Sequence, residues 1–247
     1  MDQKFKHSFL EKWAAYFGES DLPITFFYAE DPGDVARANL PNGHSCIVCE
    51  LALVRKGTPL AWNVQSLGCG GSRRYLGYTG KMRPGFEYFL STGIEGKIEG
   101  ERYIQKPEMV REMMAAMPCI PANGRYIIFK RFDQLTPDDE PVAAIFFAKP
   151  DVLSGLFTLA NFDQPGGDGV IAPFGSGCSA IVHQPWFQGE TENPKAVLGM
   201  FDASARPCVA KDVLSFAVPM KKFVTMVGNM DESFLITETW RTVKKRL

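Results

Sequence analysis

Leu60-Ala-Trp-Asn-Val-Gln-Ser-Leu-Gly-Cys-Gly-Gly-Ser-Arg-Arg-Tyr-Leu-Gly-Tyr78 changes its grammar part-way through. Leu60, Trp62 and Val64 recur at a period of two, which predicts a strand. Gly68, Cys69, Gly70 and Gly71 interrupt it, and Ser72 is placed to cap a helix that opens with Arg73 and Arg74. Glycines let backbone N–H groups converge where a side chain would block them, and a helix start adds partial positive charge. A cysteine held there, Cys69, is expected to favour its thiolate.

Upstream, Phe5, Phe9, Leu10, Trp13 and Phe17 fall at helical spacing, and Gly18 ends the run. Pro23 to Tyr28 reads as a strand and Asp31 to Gly43 as a polar connection. Ser45 is placed to cap a helix reaching Arg55, with Gly57 as its stop. Downstream, Phe86–Leu90 reads as a strand, Glu95–Glu101 as an exposed turn and Pro107–Met117 as a helix. That helix carries a stripe of Met109, Val110, Met113, Met114 and Met117, whose expected role is core packing. Arg125–Phe129 and Val142–Phe147 are expected strands, and Thr136–Pro141 between them is the most linker-like segment.

The second half returns to the same order. A strand (Val142–Phe147) and a helix (Val152–Phe162, with Asp151 as cap) precede a strand (Val170–Phe174) and a second glycine–cysteine loop, Gly175-Ser-Gly-Cys-Ser179. Phe86–Leu90 with the methionine helix is matched by Val213–Val218 with Met220–Met230. Read as an internal repeat, this gives halves at about 22–117 and 125–230, with Cys69 and Cys178 as counterparts, followed by a C-terminal helix at 232–246. Such an order also arises without duplication. The elements do not alternate cleanly enough for a doubly wound parallel sheet. The expected fold is therefore α+β: a mixed β-sheet with flanking helices, 1–247 forming a single domain.

Composition narrows the function. A formal net charge of −1 offers no basic field for nucleic acid. No apolar run approaches the length that crosses a membrane, and Met1-Asp-Gln-Lys-Phe-Lys-His lacks the apolar core of a signal peptide. A cytoplasmic location is expected. In a reducing compartment the six cysteines are expected to be core fillers, nucleophiles or metal ligands rather than disulfides.

Cys49-Glu-Leu-Ala-Leu-Val-Arg-Lys-Gly57 and Gly68-Cys-Gly-Gly-Ser-Arg-Arg-Tyr-Leu-Gly-Tyr78 resemble the first two motifs of a prokaryotic family, the domain of unknown function 169. Gly175-Ser-Gly-Cys-Ser-Ala180 ahead of Pro185-Trp186 resembles its third, and Cys208 its fourth. The resemblance spans about Leu22 to Met230. It implies one domain of this length and directs attention to Cys49, Cys69, Cys178 and Cys208. Arg73-Arg74 and the additional Cys46 depart from the family pattern.

Three functional readings follow. The first is binding of a small anionic ligand or cofactor by Gly68, Cys69, Gly70, Gly71, Ser72, Arg73 and Arg74, joined by Gly177, Cys178 and Ser179, with Arg206 reaching in beside Cys208. No nucleotide-binding glycine signature is present. The alternative is a metal or iron–sulphur centre, zinc or a cluster, ligated by Cys49, Cys69, Cys178 and Cys208. The second alternative is a cysteine-nucleophile enzyme, with Cys69 activated by His44 or His183 and with Glu50 as an acid/base or as the ion-pair partner of Arg73. Neither a reaction nor an oligomeric state is legible.

Overall fold

The computed structural model describes residues 1–247. Helix α1 (Gln3–Phe17) precedes strand β1 (Ile24–Ala29), and β2 (Ala36–Arg37) and α2 (Ile47–Arg55) lead to β3 (Leu60–Trp62). Helices α3 (Gly70–Tyr75), α4 (Phe86–Leu90) and α5 (Pro107–Ala116) separate β3 from β4 (Tyr126–Arg131). The chain continues through β5 (Ala143–Ala148), α6 (Pro150–Ala160) and β6 (Val170–Ile171). A π-helical turn (Ser179–His183) runs into α7 (Gln184–Gly189), followed by β7 (Ala196–Gly199) and β8 (Leu214–Pro219). Helices α8 (Met220–Asn229) and α9 (Glu238–Lys244) close the chain.

The eight strands form one mixed sheet in the order β2-β3-β4-β1-β5-β8-β7-β6. The fold is α+β, with helices on both faces. The order is the same read from either edge. Each edge is a parallel pair, β2 with β3 and β6 with β7, followed by antiparallel neighbours. At the centre β1 meets β5 antiparallel, Ile24 opposite Ile145.

Pleating sends alternate side chains of the central strands into two separate cores. Phe27, Ile128 and Phe146 pack with Phe9, Trp13, Phe223 and Trp240 on the face covered by α1, α6, α8 and α9. Phe26, Ile127 and Ile145 pack with Ile47, Val48, Leu51, Tyr75 and Ile181 on the other. Burial on both faces is why these strands read as continuous apolar runs.

Several expectations are corrected. Phe86–Leu90 is the short helix α4, not a strand: Gly85, at φ +80°, turns the chain, and the Phe86 and Phe89 rings lie side by side at helical spacing, tilted 36° with centroids 6.2 Å apart. The methionine stripe of α5 is core only in part: Val110 is buried and Met117 packs against the core, whereas Met109 is exposed and Met113 and Met114 are half-buried. The linker-like Thr136–Pro141 is anchored, because buried Asp139 accepts from Lys130 Nζ (2.9 and 3.0 Å) and the Thr136 N–H (2.7 Å). The C-terminal helix is split into a 3-10 turn at Phe234–Ile236 and α9. Cys46, Cys69 and Lys149, rather than Ser45, Ser72 and Asp151, occupy the cap positions of α2, α3 and α6.

The sheet also re-pairs the two halves. Cys178 precedes the helical segment between the second and third strands of its half, as Cys46 does in the first half. Cys46 is thus its topological counterpart, not Cys69. Likewise β8 corresponds to β4, so the match drawn between Phe86–Leu90 and Val213–Val218 does not hold.

Candidate functional site: a convergence of cysteines

Four segments distant in sequence meet on the sheet face that α2 covers. They are the start of α2, the Gly68–Ser72 loop, the Ser176–Ser179 loop and the segment after β7. Close approach at glycine holds them together. A Cβ on Gly68 would meet Ser45 Oγ at 2.5 Å, and one on Gly177 would meet Val48 Cγ2 and Ala205 Cβ at 3.1 Å. Gly199 gives the π-helical turn room on β7, since a Cβ there would meet Ala180 Cβ at 2.5 Å. Immediately after β7, Met200 takes φ +70°, a costly conformation for a side-chain-bearing residue, and turns the chain into the site.

Polar bonds then fix the loops. Buried Asp202 accepts from the Gly177 N–H (3.2 Å), the Ser204 N–H (3.0 Å) and Ser204 Oγ (2.8 Å), tying the second glycine loop to the Cys208 segment. Arg206 donates to the carbonyls of Val213 (2.6 Å) and Lys211 (2.8 Å). Its guanidinium is thereby committed to shaping the turn that carries Cys208.

Cys46 and Cys49 are one helical turn apart, so their side chains share a face of α2. Cys208 arrives opposite them. The sulphurs of Cys46, Cys49 and Cys208 all lie within 4.8 Å of one another. Cys49 and Cys208 are joined as a disulfide with Cα atoms 4.4 Å apart, a bond the reducing-compartment reading did not anticipate. Cys46, Cys69, Cys119 and Cys178 are free. Of the four expected metal ligands, Cys49 and Cys208 belong to the trio, whereas Cys69 and Cys178 lie beside it. Cys46, absent from the expected set, completes it; the Cys-x-x-Cys spacing with Cys49 was its one sequence signal.

Burial raises the Cys46 thiol. The backbone N–H groups of Val48 and Cys49 oppose that rise, and neighbouring Cys69 and Asp202 add to it. Cys178 is pushed up to about 12, first by burial, against a bond from Ser176, with Cys69, Cys46 and Asp202 adding to the rise. Its sulphur lies 3.3 Å from Ser176 Oγ. Both thiols are protonated at neutral pH and are poor nucleophiles.

The other expected site residues have separate roles. Ser72 Oγ donates to the Cys69 carbonyl (2.8 Å), and Arg73 Nε donates to the Leu67 carbonyl (2.9 Å), closing its own loop. Arg74 points away toward α5, donating to the Met117 carbonyl (3.3 Å). Gly70 and Gly71 form the first turn of α3, and Ser179 opens the π-helical turn. Glu50 is held by Trp62 Nε1 at 3.0 Å rather than by Arg73. His183 is buried, with Nε2 on the Pro118 carbonyl (2.8 Å) and its ring edge-on to Tyr75; His44 is exposed. Neither histidine hydrogen-bonds a cysteine, so the expected catalytic pairing with Cys69 is not formed.

The family model for domain of unknown function 169, described as an uncharacterised ArCR, matches residues 16–229. The chain belongs to that family. All four convergent segments fall inside the matched region, so the cysteine convergence lies within the family's own domain. No curated protein and no solved structure matches the chain. No helix of this family member is long and apolar enough to cross a membrane.

Proposed function

We propose that this protein binds a single thiophilic metal ion, zinc foremost, through Cys46, Cys49 and Cys208 in their reduced form, with Cys69 supplying the fourth thiolate. The observation that carries the reading is the 4.8 Å trio of sulphurs. A tetrahedral ion with bonds of about 2.3 Å to sulphur holds its ligands roughly 3.8 Å apart, a spacing the trio can take only after the Cys49–Cys208 bond is reduced and those two sulphurs separate. Soft thiolates select soft ions. A cubane iron–sulphur cluster needs its thiolates farther apart, and a compact trio fits it less well.

The site is also redox-gated. The Cys49–Cys208 disulfide and the metal compete for the same two sulphurs. A dithiol reductant opens the site by giving two electrons and two protons to the disulfide and becoming a disulfide itself. Each thiol then loses its proton on metal binding, so affinity rises with pH. Cys46, Cys69 and Cys178 are free beside the centre, and the metal-binding form needs the Cys49–Cys208 bond reduced, so we place the protein in the reducing cytoplasm.

The test is zinc stoichiometry under anaerobic conditions. Dithiothreitol-reduced wild type is expected to take one equivalent in competition with a chromophoric chelator, and the disulfide form none. Cys46→Ser and Cys208→Ser are expected to lose affinity by at least about tenfold, because a hydroxyl replaces a thiolate ligand poorly. Equal binding by wild type and both variants, or no binding by reduced wild type, overturns the reading. Uptake of iron with sulphide in place of zinc assigns the trio to a cluster and also overturns it.

A further inference from the structure

On the side of α3 facing away from the cysteines, Arg74 is 4% exposed. Its Nη2 donates to the Met117 carbonyl (3.3 Å), while Nε and Nη1 are buried without a hydrogen-bond partner. No carboxylate forms an ion pair with it. The carboxylates nearby serve Arg111 instead: Glu87 at 3.2 Å and Glu108 at 2.9 Å. A buried guanidinium with two unsatisfied nitrogens is costly unless something pairs with it.

Arg74 forms part of the wall of a cleft of about 470 Å³ between the Gly80–Glu87 segment and α5. That size suits a small organic molecule. Arg83 and Arg111 line the same cleft, against one carboxylate, Glu87. Arg83 lies over the Phe89 ring, 4.7 Å from its centroid, which holds the guanidinium beside the opening. Met82, Phe86, Val110 and Met114 supply an apolar wall. Met114 was expected in the core, and its half-buried place here is where the methionine stripe finds a use: methionines adapt to varied ligand shapes.

We propose that this cleft binds a small organic anion, a carboxylate or phosphoryl head on Arg74 with an apolar body against Met82, Phe86 and Met114. Arginine holds oxyanions through charge-assisted hydrogen bonds, and Nε and Nη1 of Arg74, on different sides of the guanidinium, are each left without a partner. Arg83 and Arg111 attract the charge from the mouth. No cysteine lines the cleft, so the proposal stands apart from the metal reading.

The experiment is calorimetric titration of the disulfide-intact protein with phenyl phosphate, benzoate, inorganic phosphate and phenol. Phenyl phosphate or benzoate is expected to bind saturably below about 10 mM, more tightly than inorganic phosphate, while neutral phenol does not bind. Arg74→Met is expected to weaken binding at least about tenfold without lowering the ligand-free melting temperature, because it replaces an unpaired buried charge with an apolar chain. Arg111→Met, at an exposed position, is expected to weaken binding by a smaller factor and serves as a variant whose fold is safe. Failure of both organic anions to bind, or binding to Arg74→Met as tight as to wild type, overturns the proposal.

Discussion

Breaking the Cys49–Cys208 bond is the perturbation with the largest predicted effect on stability. The bridge joins residues 159 positions apart, tying the start of α2 in the first half to the turn before β8 in the second. In the chain-entropy account, closing a loop of that length removes about 17 cal/mol/K from the denatured ensemble, or about 5 kcal/mol at room temperature. With roughly 2.1 cal/mol/K of unfolding entropy per residue over 247 residues, the melting temperature should fall by about 10 °C on reduction. The assay is thermal unfolding with and without dithiothreitol, beside the double variant Cys49→Ser/Cys208→Ser. Dithiothreitol should shift wild type and leave the double variant where it is. Thiol titration of denatured, unreduced wild type should count four cysteines, matching the four that are free. Zinc added to the reduced protein should restore part of the loss, by about 4 kcal/mol at a thousandfold excess over its dissociation constant. Six titratable thiols before reduction, with a melting temperature insensitive to dithiothreitol, would refute the reasoning.

Two further outcomes concern the scaffold. Gly155→Ala should destabilise the protein by about 1–3 kcal/mol in denaturant titration, because its Cβ would run into Trp240 Cη2 and meet Phe17 Cε1 at 2.8 Å between α6, α9 and α1. Zinc stoichiometry should not change, since that core lies across the sheet from the cysteines. Burial holds His183 below its ordinary value of 6.5, so the unfolded chain binds this proton first as pH falls. The contribution of His183 is therefore fully present above about pH 6.5 and is lost as pH drops from there toward its folded value. Stability measured from pH 7 to 5 should slope downward, and His183→Gln should flatten that limb; an unchanged slope would remove His183 as the cause.

The central strands were legible because the fold buries them on both sides. Ile24–Tyr28, Arg125–Phe129, Val142–Phe147 and Val213–Val218 are apolar enough to read as strands without knowing their neighbours. The edges were not. Only the start of the expected Val170–Phe174 strand pairs, as the two-residue β6, while β2, of two residues, and β7, of four, went unread because they depend on pairing with strands far along the chain. Phe86–Leu90 has strand-forming residues, but Gly85 and packing on α5 decide for a helix. At the site, the glycine–cysteine loops stood out for their chemistry, yet spacing could not say which cysteines share a centre. That depends on the sheet order, which sets α2 beside the segment after β7. Asp202 carried no signal, being an ordinary acidic residue until three donors converge on it. Arg73 and Arg74 looked equivalent as neighbours, whereas one closes its own loop and the other is buried on the opposite side.

The most direct test of the metal centre is X-ray absorption at the zinc edge on protein purified and reduced without oxygen, then given one equivalent of zinc. The proposed site predicts a shell of about four sulphurs near 2.3 Å, falling to about three in Cys46→Ser. A shell of oxygen and nitrogen alone, or the same sulphur count in Cys46→Ser as in wild type, would contradict it.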